Sequence, residues 1–273
     1  MTTSLASLLP SLLGAFTTQA LGYFALVCVV YALVWRWGRE RLRDARIPSP
    51  RRVDRAQIRR EFGHTLVTLL AGAVSAGALM WLHGAGLARL SDAPARLRVV
   101  AAWVVAGLVF NDAWFYGWHR LLHRPWLFRH VHSVHHKSVD VNPFTSYSFH
   151  AVEALVLSAW VVPAAIFLPV PMAALGVLQV VGLGNNVMAH LGYELLPRWI
   201  LRVPLVRWTN TATFHSLHHT RLRGNYGLHT RMWDRLFGTE VDDYEAVFLA
   251  RGSVTPSSPS SPSSPSSPPD GAR

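Results

Sequence analysis

The sequence predicts an all-α integral membrane protein with four to five transmembrane helices. Apolar residues make up 51% of the chain and charged residues only 15%, whereas a soluble domain carries about 25% charged residues. The mean hydropathy is +0.22, and long uncharged segments alternate with arginine-rich loops. This composition excludes a disordered chain. The one cysteine, Cys28, excludes a disulfide framework and any CxxC-type metal site.

Four uncharged or nearly uncharged segments predict the membrane-spanning helices. Residues 12–35, 65–88 and 99–118 are each long enough to cross a bilayer, which needs about 20 apolar residues. Residues 154–189 are too many for a single span. Pro169 and Pro171 interrupt this last segment, so we expect a tight hairpin of two short helices there.

The distribution of charge predicts the orientation in the membrane. Residues 36–60 contain ten arginines and three acidic residues. By the positive-inside rule this loop is cytoplasmic and the N-terminus lies outside. We attribute the basic charge to membrane topology and expect no nucleic-acid partner. The predicted location is a multi-pass protein of the cell inner membrane or the endoplasmic reticulum.

Histidines are concentrated in three short motifs near the ends of the predicted spans. One motif is HxxxH and two are HxxHH, and positions i, i+3 and i+4 share one face of a helix. Packing so many imidazoles together without a cation to bind their lone pairs would be costly. We therefore predict a metal site built from His119, His123, His132, His135, His136, His215, His218 and His219.

Eight imidazoles are too many for one ion and suit two. His135 and His136 are adjacent, so on a helix they point about 100° apart and can serve different ions, as can His218 and His219. Imidazole suits zinc, copper, iron and nickel, and the spacing does not select among them. The chain has no HExxH motif, which argues against a metalloprotease.

The histidine motifs occur within a longer pattern. Asp112-x3-Tyr116-x2-His119-Arg120-x2-His123 is followed by His132-x2-His135-His136, His215-x2-His218-His219, Asn225-Tyr226-Gly227 and Trp233-Asp234-Arg235. Together these motifs resemble the fatty acid hydroxylase/sterol desaturase superfamily over residues 100–240. The pattern is most similar to the sterol C5-desaturase branch.

The resemblance implies a non-haem diiron oxygenase that hydroxylates or desaturates a lipid, with a cytoplasmic histidine-rich helical cap above the membrane helices. It implies two iron ions as cofactors and O2 as co-substrate, with zinc as an artefactual substitute for iron. The substrate would be a lipid that enters from the bilayer. Electrons would come from a separate donor, a ferredoxin or a cytochrome b5-like protein with its reductase.

The resemblance also adds residues to the predicted site. His190 matches a further metal ligand of the family, and Glu194 occupies a position where some relatives have another histidine. Glu194 either contributes an oxygen ligand or orients the ligands, and we favour the second role. His150 and Glu153 are expected to orient ligand imidazoles through their other ring nitrogen. Asp112 is expected to accept an N–H from a ligand, or to pair with an arginine of another helix.

Three regions are predicted along the chain: an N-terminal span with its basic loop over 1–60, a catalytic domain over 61–246, and a disordered Ser/Pro-rich tail over 247–273. Two other functions remain open. A zinc-dependent lipid hydrolase could use the same imidazoles to activate water. A metal transporter could also use them, although its ligands should lie near the middle of the membrane.

Overall fold

The computed structural model describes residues 5–250, and nearly all of their regular structure is helical. The first long helices are α1 (Leu5–Val30), which continues as a π-helix over Tyr31–Trp37, α2 (Arg55–Gly84) and α3 (Leu97–Leu122). Short turns follow: α4 (Pro125–Leu127), a π-helix at Phe128–His132, α5 (Ser133–His136) and a 3-10 helix at Pro143–Tyr147.

The fourth long helix is the second arm of a hairpin. The first arm consists of α6 (Ala151–Ser158) and α7 (Val161–Phe167), and the second arm is α8 (Met172–Ala189). Between the arms, β2 (Val170–Pro171) pairs in parallel with β1 (Leu90–Ser91). The hairpin predicted from the two prolines is confirmed. Four helices are long and apolar enough to cross a membrane, so the predicted all-α membrane architecture is confirmed as well.

The C-terminal part packs as small helices against this bundle. It contains 3-10 turns at Arg198–Arg202 and Val206–Trp208, followed by α9 (Ala212–Arg221), α10 (Met232–Leu236) and α11 (Tyr244–Ala250). The prediction that disorder starts at residue 247 is wrong, because Phe248 is fully buried in an apolar cluster with Phe214. Residues 251–273 of the predicted tail lie outside the described part of the chain.

Helix α2 begins ten residues before the predicted span, at Arg55. The Asp54 side chain caps it by accepting from the backbone N–H of Gln57 at 2.7 Å, a favourable arrangement at a helix start. The arginines of the first turns therefore lie on the helix rather than in a loop. The predicted domain boundary at 60/61 is wrong for the same reason, because it falls inside α2.

Helices α1, α2 and α8 meet in an apolar cluster that contains Tyr23, Val27, Leu69 and Val187. The ring of Tyr147 stacks on that of Tyr23, with ring centroids 4.6 Å apart. This contact joins the bundle to the 3-10 turn at Pro143–Tyr147, which lies a few residues after the second histidine motif.

A fully buried carboxylate fixes the same turn to α2. Glu61 accepts hydrogen bonds from Gln57 Nε2 at 2.9 Å, Asn142 Nδ2 at 2.8 Å and Thr145 Oγ1 at 2.7 Å. A buried carboxylate needs such donors, because it loses its water on folding. Glu61 therefore secures the segment that follows His135 and His136.

We predict that Glu61→Ala lowers the free energy of unfolding by about 3 kcal/mol, because it leaves buried donors of Asn142 and Thr145 without an acceptor. Denaturant titration in detergent micelles would measure the change. Glu40→Ala is the control, since the Glu40 side chain is exposed, and it should leave stability unchanged. Equal stability of the two variants would contradict the role given to Glu61.

Candidate metal centre

Four segments bring nine histidines together in the part of the chain that the structure describes. The C-terminal end of α3 provides His119 and His123, and the turns that follow provide His132, His135 and His136. His190 caps the C-terminus of α8. Helix α9 provides the rest, which are His215, His218 and His219.

The nine imidazoles form two groups, and each group has the geometry to hold a metal ion. In each group one ring nitrogen per residue lies within 4.8 Å of the others. The first group, which we call group 1, contains His119, His123, His132, His136 and His218. The second, group 2, contains His135, His190, His215 and His219. Both pairs of adjacent histidines are divided between the groups, in agreement with the helical spacing. The rings of His136 and His219, one from each group, have centroids 4.7 Å apart.

The contacts between ring nitrogens indicate which atoms would bind metal. In group 1, His132 Nε2 lies 3.1 Å from His119 Nε2 and 3.0 Å from His136 Nε2. In group 2, His190 Nε2 lies 3.2 Å from His135 Nε2 and 2.9 Å from His215 Nε2. Two nitrogens that bind the same cation at about 2.1 Å would lie about 3.0–3.4 Å apart.

The opposite ring nitrogens show that Nε2 carries the lone pair. His119 Nδ1 donates to Tyr226 O at 2.8 Å, and His190 Nδ1 donates to Asn186 O at 2.8 Å. A neutral imidazole with a proton on Nδ1 has only a lone pair at Nε2. Buried Nε2 lone pairs that face one another repel unless a cation lies between them. The residues present therefore fit a metal ion in each group.

Burial keeps these imidazoles neutral, which is the form that binds metal. Desolvation lowers the pKa of His123 and that of His190 to about 4. Desolvation, followed by the neighbouring imidazoles, lowers the pKa of His132, His136 and His219 well below the ordinary value.

A turn after α9 orients three imidazoles of group 1. The backbone carbonyl of Gly224 accepts from His218 Nδ1 at 2.7 Å, and Tyr226 O accepts from His119. His123 bonds to the backbone of Leu222. Leu222 and Gly224 have positive φ angles of 61° and 74°, and this conformation turns alternate carbonyls toward the imidazoles.

Asp234 holds the orienting turn in place, and the sequence reasoning gave it no such role. Its carboxylate accepts from the backbone N–H groups of Tyr226 and Gly227 at 2.8 and 2.7 Å, and from Thr239 Oγ1 at 2.7 Å. Asn225 Nδ2 donates to Phe214 O at 2.9 Å, which ties the turn to α9. The Asn-Tyr-Gly and Trp-Asp-Arg motifs mark this turn and Asp234 in the sequence, although their spacing does not reveal which residues they contact.

Glu153 lies where the sequence predicted, against a ligand imidazole. Its Oε1 accepts from His132 Nδ1 at 2.7 Å, and both side chains are buried. A carboxylate in this position fixes the ring orientation and raises the basicity of Nε2.

Two predictions about orienting residues are wrong, those for Asp112 and His150. Asp112 contacts neither a ligand imidazole nor an arginine. It accepts from the backbone N–H of His229 at 2.7 Å and from the hydroxyl of Thr230, because the loop after α9 crosses α3 at this point. His150 caps α6, accepting from Val152 N at 3.2 Å.

Glu194 belongs to neither histidine group. Its Oε2 accepts from the backbone N–H of Thr213 at 2.9 Å, and its Oε1 accepts from Leu196 N at 3.1 Å. The carboxylate therefore acts on the first turn of α9, where it complements the positive end of the helix. It positions the helix that carries three histidines rather than an individual imidazole.

Fold and site together define a helical membrane protein with a two-part, all-histidine metal centre at the ends of its spans. A family model described as fatty acid hydroxylase matches residues 104–239. The chain belongs to the fatty acid hydroxylase/sterol desaturase superfamily, as the sequence motifs predicted.

Several relatives align with the same region. The chain is 35% identical over 133 residues to very-long-chain aldehyde decarbonylase GL1-7 of Oryza sativa subsp. japonica, covering 46% of this chain and 21% of the relative. It is 33% identical over 141 residues to Protein CER1-like 2 of Arabidopsis thaliana, covering 49% and 23%. Identity to methylsterol monooxygenase 1 of Gallus gallus is 30% over 145 residues, covering 53% and 48%.

The chain spans less than half the length of each of these relatives. No solved structure matches it. Similarity to the sterol C5-desaturase branch in particular stays a prediction.

We predict that Glu153→Gln lowers metal affinity by about 10- to 100-fold, because a neutral amide polarises the His132 imidazole less than a carboxylate does. Competition with a chelator, followed by metal analysis, would measure the change. Glu240→Gln provides a control, since Glu240 pairs with Arg231 away from the histidines. If the Glu153 variant bound metal as tightly as the wild type, the orienting role would be excluded.

Proposed function

We propose that this protein is an O2-dependent oxidoreductase that hydroxylates or desaturates a lipid, using two iron ions held by the nine histidines. The observation that supports this most directly is the pair of adjacent groups with five and four imidazoles at the end of an apolar helix bundle. Family membership supports it too, and two relatives are named as a methylsterol monooxygenase and an aldehyde decarbonylase.

The five-imidazole ligand set of group 1 favours iron over zinc as the resident metal. Structural zinc takes four ligands in a tetrahedron, whereas group 1 offers five imidazoles. Zinc binds nitrogen ligands more tightly than ferrous iron does, so zinc in purified protein would be a substitute. When bound, the irons would supply the activation of O2 for attack on an unactivated C–H bond.

The residues of this chain would orient the imidazoles and keep water away from the metals. The overall reaction consumes O2, two electrons and two protons. Hydroxylation inserts one oxygen atom into the C–H bond and releases one water, and desaturation removes two hydrogens and releases two waters. The ligand set is the same in both cases, and the position of the substrate decides between them.

Orientation in the membrane forms part of the proposal. The ten arginines of residues 36–60 favour the cytoplasmic side of the membrane for this segment and, with it, for the metal centre. A hydrolase with zinc would need no O2. A transporter is disfavoured because the histidines lie at helix ends and in turns, not midway along broken spans.

We predict about two irons per chain and O2-dependent lipid oxidation. Mass spectrometry of lipid extracts would detect a product 16 mass units heavier for hydroxylation or 2 lighter for desaturation, as the atom balance requires. His135→Ala and His218→Ala each remove a ligand from one group, and both should abolish turnover without preventing membrane insertion. His64→Ala, outside both groups, should keep full activity. One zinc per chain with turnover in the absence of O2 would overturn the proposal in favour of a hydrolase.

We also propose that a separate acidic carrier, a ferredoxin or a cytochrome b5-like protein with its reductase, docks beside His123 and supplies the electrons. Of the nine described histidines in the two groups, His123 alone is half-buried. Three exposed arginines lie next to His123 in the chain or next to residues that contact it. Arg124 follows His123 directly, Arg129 follows Phe128, and Arg223 follows Leu222. The ring centroid of Phe128 lies 5.3 Å from that of His123. Opposite charge steers such partners together.

We predict that the double variant Arg124→Glu/Arg223→Glu slows reduction by the protein donor about tenfold at low ionic strength, and that added salt narrows the difference. Stopped-flow measurement of donor oxidation would test this, with ferredoxin and cytochrome b5 assayed in parallel. The double variant Arg39→Glu/Arg43→Glu, at two exposed arginines after the first span, is the charge-matched control. Reduction by dithionite should be the same in all variants, and an equal loss with dithionite would contradict a docking role.

A further inference from the structure

A cavity of about 550 Å³ lies among α1, α2, α3 and α8, directly beneath the metal centre. Its metal-facing end is formed by four residues: Phe115, Phe149, Asn186 and Leu228. The same four residues also line the small space between the two histidine groups, together with imidazoles such as His119, His132 and His190. A molecule in the cavity would therefore present one end to the metals.

The cavity is elongated along the membrane helices. On α8 it extends from Leu175 to Asn186, which is about 16 Å at the rise of an α-helix. Two glycines of its wall, Gly14 and Gly182, border open space, because a Cβ atom added at either one would meet no atom within 4 Å. These dimensions suit a long, narrow lipid.

The cavity opens sideways toward the bilayer. Near the metal centre, Val27 of α1 and Val187 of α8 are packed in one apolar cluster. Further from the metals, Thr18 of α1 and Gln179 of α8 both line the cavity and are exposed. A lipid can therefore enter between α1 and α8 without passing through water.

None of the described residues that line the cavity carries a formal charge, although several are polar. Most of these polar groups already have hydrogen-bond partners: Ser75 bonds to Ser158 at 2.7 Å, and Asn186 Nδ2 donates to Ser146 O at 2.8 Å. Burying a charged group in such surroundings would be costly, because nothing replaces its water. The cavity therefore selects against a carboxylate, phosphate or sulfate.

Gln19 is not among these paired groups. Its amide lies over Gly72, where an added Cβ would be 2.6 Å from Gln19 Oε1, and within the described part of the chain it has no hydrogen-bond partner. A primary amide facing hydrocarbon has both donors and an acceptor to satisfy. Gln19 precedes Val27 by eight residues, so it lies about 12 Å further from the metal centre along α1.

We propose that this cavity binds the substrate, and that the substrate is an uncharged lipid whose single hydroxyl or carbonyl group bonds to Gln19, about 12 Å from the carbon at the metal-facing end. The proposal rests on the function proposed above. It deepens that function by excluding charged lipids, such as ionised fatty acids and phospholipid headgroups, from the cavity.

Photolabelling with two probes of equal chain length tests the class of lipid. One probe is a long-chain alcohol with a diazirine group, and the other is the sulfate ester of the same alcohol. With the full-length protein in phosphatidylcholine nanodiscs, the alcohol should label peptides that line the cavity, such as residues 175–186, and the sulfate should not. Labelling of these peptides by both probes, or by neither, would overturn the proposal.

Variants on α1 and α8 test the site. Gln19→Leu should lower alcohol labelling about tenfold, the loss expected for one buried hydrogen bond. Gly182→Leu should abolish labelling, because its side chain would fill the cavity. Gly184→Leu is the matched control on the same helix: a Cβ there also meets no atom within 4 Å, but Gly184 does not line the cavity. If Gly182→Leu and Gly184→Leu were labelled equally, the cavity would not be the binding site.

Labelling requires neither iron nor O2, so the two proposals can fail separately. Cavity labelling in a protein that shows no O2-dependent turnover would contradict the proposed oxidoreductase and leave the binding site standing. Turnover that survives Gly182→Leu, with unchanged iron content, would overturn the cavity proposal alone.

Discussion

The structure depends on the hydrogen bonds that five of the nine imidazoles, those of His119, His132, His135, His190 and His218, make on the side away from the metal centre. When Nδ1 of His119, His190 or His218 donates to a backbone carbonyl, the ring is neutral and its Nε2 lone pair points inward. Where both rings are held in this way, as in His119–His132 and His135–His190, the facing Nε2 atoms lie 3.1 and 3.2 Å apart without a proton between them. Only a cation compensates this arrangement, so the fold and the metal site require one another.

The turn whose carbonyls orient the group 1 imidazoles has a strained backbone, and residues outside the metal groups stabilise it. Leu222 and Asn225 adopt φ angles of 61° and 55°, a region that side chains other than asparagine and aspartate seldom adopt. Asp234 offsets this strain by binding the two backbone N–H groups that follow the turn. In this chain the Asn-Tyr-Gly and Trp-Asp-Arg motifs therefore hold the backbone whose carbonyls orient group 1.

The sequence predicts features that depend on the spacing of nearby residues, and it does not predict contacts between segments that are distant along the chain. The HxxHH spacing predicted that adjacent histidines serve different groups, and Pro169 and Pro171 predicted the hairpin. The targets of Asp112 and Glu194 were missed because both bind backbone N–H groups whose position depends on how distant segments cross. His150 was missed for a local reason, since it caps its own helix by accepting from Val152 N. Helix α2 was predicted too short because charge marks the edge of the membrane, not the end of a helix.

Polar residues in the membrane helices are of two kinds: those whose side chains find hydrogen-bond partners within the protein, and those whose side chains do not. Glu61 and Asp112 accept several hydrogen bonds each from neighbouring segments, so they stabilise the fold. Gln19 faces the cavity without a partner among the described residues, and an unsatisfied amide in hydrocarbon is retained only if something else binds it. A polar side chain in a span thus indicates function only after its contacts within the protein have been accounted for. Under the two proposals above, the histidines at the helix ends would hold the ions, and the spans would select and position the lipid.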